Sequence, residues 1–80
     1  MAMSIAASPT RADRLHAMSV GLADTARRHA SGGDLARAMM HLALSNALRH
    51  AASGDSLGRK LAMQEVRALR KAMRAKREAV

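Results

Sequence analysis

An all-α fold of three helices running up, down and up follows from three observations on this 80-residue chain. The segment Arg28-His29-Ala30-Ser31-Gly32-Gly33-Asp34 recurs 21 residues later as Arg49-His50-Ala51-Ala52-Ser53-Gly54-Asp55. Each copy sets cations where a helix's free carbonyls concentrate negative potential, then glycine for a left-handed C-cap, then aspartate to cap the next helix. Second, apolar residues recur at three- and four-residue spacing between these punctuation marks. Third, aromatic content is 0%, so the core is built from Leu, Met, Val and Ala, and Ala and Leu favour helix.

Residues 1–8 carry no periodicity and read as a flexible N-terminus. The single helical domain covers 9–80, with helices at about 9–30, 34–52 and 56–78. Two starts compete for the first helix: Ser8-Pro9 as N-cap and first helical residue, or a capping box from Thr10 to Asp13. Leu15, Met18, Leu22 and Ala26 then form one apolar face. Gly21 within it costs about 1 kcal/mol against Ala, and close helix contact would account for it.

In the second helix Leu35, Ala38, Met39, Leu42, Ala43, Leu44, Ala47, Leu48 and Ala51 cover well over half the circumference, which predicts the central position. Arg37, His41, Ser45 and Asn46 form its stripe toward solvent. Asp55 or Ser56 caps the third helix.

The third helix divides into sectors at about 100° per residue. Ala62, Val66, Leu69, Met73 and Val80 form a narrow seam, interrupted by Lys76. Arg59, Lys60, Arg67, Arg70, Lys71, Arg74 and Arg77 fall within one arc of about 120°. Leu57, Leu61, Ala68, Ala72, Ala75 and Ala79 make a third sector of mainly small residues. Two sectors are therefore able to pack, and one is a basic ridge. The architecture is a three-helix bundle, or a helical hairpin with an extended basic third helix, and homodimerisation is the way to cover the spare sector.

Between Leu22 and Leu42 the chain resembles a tetratricopeptide-repeat hairpin. Leu22, Ala26, Gly33, Ala38 and Leu42 fall at five of that family's small and apolar signature positions. Thr25, His29, Ser45 and His50 occupy others and depart from its aromatic pattern. The resemblance implies an antiparallel helix pair and nothing about activity.

Size and charge narrow the function. A chain of 8.5 kDa buries only about 60% of its unfolded surface, which leaves stability marginal unless something supplements the core. There is no cysteine to crosslink it. Association is then the remaining supplement. Seven methionines read first as ordinary core, and also suit a surface that repacks around a partner. No secretory signal or membrane span is expected, so the expected location is cytoplasmic.

No nucleophile, base or polar constellation points to catalysis, so the chain is not expected to be an enzyme and needs no cofactor. The four histidines match no zinc motif. His16 and His50 fall at similar heights in an antiparallel pair, but His29 and His50 are better explained by their place at helix C-termini.

The formal net charge is +8, and the third-helix region carries eight of the 14 Lys and Arg against two of the six acids. Its ridge spans about 27 Å. The expected function is a small protein-interaction module, an adaptor, chaperone-like cofactor or inhibitor, docking on an acidic protein. Val66, Leu69 and Met73 are the expected apolar anchors, and the Arg and Lys ridge is the electrostatic part. The alternative is non-specific duplex DNA or structured-RNA binding through the same ridge; no aromatic platform exists for single-strand stacking, and Asn46 and Gln64 are the only amides for base reading.

Overall fold

The computed structural model describes residues 8–79 and contains three α-helices: α1 Arg11–Ser31, α2 Leu35–Ala52 and α3 Ser56–Glu78. Residues 1–7 of the expected flexible start and the seam position Val80 lie outside the described residues.

Of the two possible starts for α1, the capping box prevails, two residues later than a start at Pro9. Thr10 Oγ1 accepts from the Asp13 N–H at 3.0 Å, and Asp13 Oδ2 accepts from the Thr10 N–H at 3.0 Å. Two orphan donors are satisfied together, which a proline start would not achieve. The Thr10 backbone N–H, and then its hydroxyl, hold the Asp13 carboxyl below the ordinary aspartate range.

Both turns have the same construction. Asp34 N–H donates to His29 O at 2.8 Å and Gly33 N–H to Ala30 O at 3.0 Å; Asp55 N–H donates to His50 O at 2.9 Å and Gly54 N–H to Ala51 O at 3.2 Å. These are Schellman pairs, and their pivots are left-handed: Gly33 has φ 84° and Gly54 φ 76°. Each aspartate then caps the following helix, Asp34 accepting from Arg37 N–H at 3.1 Å and Asp55 from Gly58 N–H at 2.8 Å. The repeated sequence is a repeated structure.

The helices run up, down and up, and α2 packs against both neighbours. Among the described residues α1 and α3 do not pack on each other. With α2 between its two neighbours, the three helices form a single layer.

Small residues hold the layer together. Ser19 and Ala26 of α1 and Ala38 and Ser45 of α2 are buried on one flank; Ala43 and Ala47 of α2 and Ala62 and Val66 of α3 are buried on the other. Short side chains let helix axes approach closely, near the lower end of the usual 8–10 Å range. Val66, 0% exposed, is the one large side chain fully enclosed among the described residues.

Ser45, expected to face solvent, is instead buried against α1. Its hydroxyl donates to Ser19 O at 2.7 Å, and the Ser19 hydroxyl donates to Ser45 O at 2.9 Å. Each hydroxyl has one proton, so these reciprocal bonds use both, and the 3.0 Å Oγ–Oγ separation is a close approach. Gly21 also departs from expectation. It is exposed, and nothing lies within 4 Å of where its Cβ would be, so it marks no helix contact.

Candidate protein-interaction face

The ridge forms because α3 is one uninterrupted helix from its Asp55 cap to Glu78. Its buried seam, Ala62 and Val66 with half-buried Leu69 and Met73, faces α2. Helical geometry then aims the neighbouring arc at one broad face of the layer. Arg59, Lys60, Arg67, Arg70, Lys71, Arg74 and Arg77 are all exposed there.

None of these seven cations takes part in an ion pair among the described residues. The pairs that form lie elsewhere: Arg27 and Arg28 with Asp24 at 3.4 and 3.1 Å, Arg37 with Asp34 at 3.4 Å, and His50 with Asp55 at 3.3 Å. Asp13, Asp34 and Asp55 serve as caps and Asp24 pairs with Arg27 and Arg28, while Glu65 and Glu78 of α3 form no ion pair among the described residues, so the ridge keeps an excess positive field.

Two shallow concavities run along the ridge. Arg59, Lys60 and Arg67 border the first with Ser56, Leu57 and Met63. Arg70, Arg74 and Arg77 border the second with Met40 and Met73. Beside them an apolar groove crosses the layer, with Leu15, Met18 and Leu22 of α1 on one side, Leu44, Leu48 and Ala51 of α2 as floor, and Met63 and Arg59 of α3 on the other side. Cationic wall and apolar floor are continuous on one face.

The expected apolar anchors fall differently. Val66 is wholly enclosed against α2 and unavailable to a partner; burying it removes its apolar surface from water in the α2–α3 seam. Leu69 and Met73 are half-buried in the same seam, and Met73 reaches the second concavity. Sequence reasoning missed the α1 and α2 contribution, Leu15, Met18, Leu22, Leu44 and Leu48. Their apolar character was evident, but nothing local distinguishes a groove floor from a core.

The opposite side of the α1–α2 pair carries an apolar trough. Leu35, Met39 and Leu42 of α2 line a trough with Ala23, Ala26, Ala30 and Arg27 of α1. Leu61 of α3 is 55% exposed and lies outside the ridge arc.

Three of the four histidines make contacts within the fold. The His29 and His41 rings lie 4.9 Å apart between centroids at a tilt of 39°, His41 Nδ1 lies 2.8 Å from Arg37 O, and His50 joins Asp55 across the second turn. Gly58 makes that last pairing possible, because a Cβ there would collide with both His50 and Asp55. Among the described residues no three His, Cys, Asp or Glu side chains converge as a metal site would require, and no helix is long and apolar enough to cross a membrane. No protein-family model, curated protein or solved structure matches this chain, so the tetratricopeptide-like spacing stands for a helical hairpin alone.

Proposed function

We propose that this is a cytoplasmic, non-enzymatic protein-interaction module that docks on an acidic partner through the α3 ridge and the apolar groove beside it. The observation that carries this reading is the set of seven exposed α3 cations, none in an ion pair among the described residues, bordering exposed leucine and methionine. Arginine supplies bidentate contacts to carboxylates, and the groove supplies apolar area that a purely electrostatic site lacks. Phosphate binding needs the cations but not the apolar floor, which favours a protein over a nucleic acid. Self-association belongs to the reading, since two copies present two ridges and raise avidity without a new contact.

Reversal of Arg70 and Arg74 to Glu is the test. Wild-type and R70E/R74E chains are immobilised and exposed to extract from the native host after nuclease treatment. A protein retained by the wild type and lost from R70E/R74E, with helical circular dichroism unchanged, is the expected result. Equal retention by both would remove the ridge as the contact. Capture abolished by nuclease, with duplex DNA affinity falling steeply with log salt, would transfer the ridge to nucleic acid.

A further inference from the structure

The ridge and the trough on the opposite side of the layer differ sharply in charge. The face bearing the ridge carries seven α3 cations, and pressing it against its own copy would set like charges against each other in a desolvated interface. The opposite trough, by contrast, includes one ionisable residue, Arg27, which already pairs with Asp24 at 3.4 Å. Its apolar side chains are the least covered on α2: Leu35 is 63% exposed, Met39 52% and Leu42 50%.

Area agrees with this division. With helices about 10 Å wide and α2 about 27 Å long, the α1–α2 side of the layer measures about 540 Å² per copy, so a pair buries about 1,100 Å², above the roughly 1,000 Å² that a specific interface needs. Charge depletion at the centre with Leu and Met is the composition of a self-associating surface.

We infer that the trough between α1 and α2, centred on Met39 and Leu42, is the interface between two copies of this chain. The two layers stack there face to face, turning their exposed leucines into a shared core and leaving both basic ridges outward. The same residues that are least covered in one chain become most buried in the pair, and the small-residue flanks of α2 are untouched. This inference rests on the self-association included in the proposed function and assigns it a face.

Sedimentation equilibrium of wild type, M39E/L42E and R70E/R74E at tens of micromolar tests it. Wild type and R70E/R74E are expected at about twice the 8.5 kDa chain mass, and M39E/L42E at the chain mass with its helical spectrum retained. M39Q/L42Q serves as an uncharged second variant and is expected to weaken dimerisation at least tenfold. A monomeric wild type would overturn both self-association and this interface. A dimer surviving in M39E/L42E would overturn the interface alone, and dissociation of R70E/R74E would move the contact to the ridge. Loss of acidic-partner capture by R70E/R74E while its dimer persists separates ridge from trough.

Discussion

Gly21 sits in the middle of α1 with solvent where a side chain would go, and Thr25 Oγ1 merely donates back to its carbonyl at 3.0 Å. Helical backbone gains nothing from glycine at such a position and loses conformational entropy on folding. Gly21→Ala is therefore expected to stabilise the chain by about 1 kcal/mol, read as a raised midpoint in urea. A destabilisation would show a packing duty that open space does not suggest. Residue-scale features were unevenly legible. Caps were readable because Thr10 with Asp13, Asp34 and Asp55 act on backbone groups only three positions away. Ser45 was not readable, since a hydroxyl among polar neighbours signals solvent unless its partner 26 residues distant is known.

Element by element, the α1–α2 pair is joined by two serine hydroxyls, each donating to the other residue's backbone carbonyl, with their oxygens 3.0 Å apart. Ser45→Ala removes one of the two bonds and puts a methyl group beside the Ser19 hydroxyl, which keeps its bond to Ser45 O; Ser19→Ala does the reverse. Each single change is expected to cost about 1 kcal/mol. The double substitution leaves an ordinary alanine contact and should cost less than the two singles combined, a coupling of about 0.5 kcal/mol or more in a double-mutant cycle by chemical denaturation. Strict additivity would mean that the hydroxyls act independently. Helix bounds were legible for α2 and α3 because both are set by one repeated local turn, whose glycines must reach positive φ. The start of α1 was ambiguous between two local signals, and the reciprocal cap won.

For the whole molecule, the consequence of a single layer is that α1 and α3 communicate only through α2. Stability then resembles that of a short repeat array, a sum of units and neighbouring interfaces. Val66→Ala removes the fully enclosed side chain of the α2–α3 seam and is expected to weaken it by about 2 kcal/mol. Amide exchange should accelerate throughout α3 while protection in the α1–α2 pair changes little; uniform acceleration would mean that the three helices open as one. This division was not legible in advance. Leucine and alanine sectors look alike to a periodicity argument, and only packing reveals that the alanines take the inside because they permit closer approach. The ridge was legible as an arc, since helical geometry alone gathers its cations. Its apolar partner was not, because the groove is assembled from three helices.

The duplicated Schellman turn makes the chain modular. It is a cassette: cation, left-handed glycine, capping aspartate, helix. Its hydrogen bonds at both junctions stay within the junction and its adjoining helix ends, so neither copy requires a particular tertiary neighbour. Appending a third copy beyond α3 would therefore lengthen the array without redesigning what precedes it, and the number of helices is a quantity that insertion could tune one step at a time.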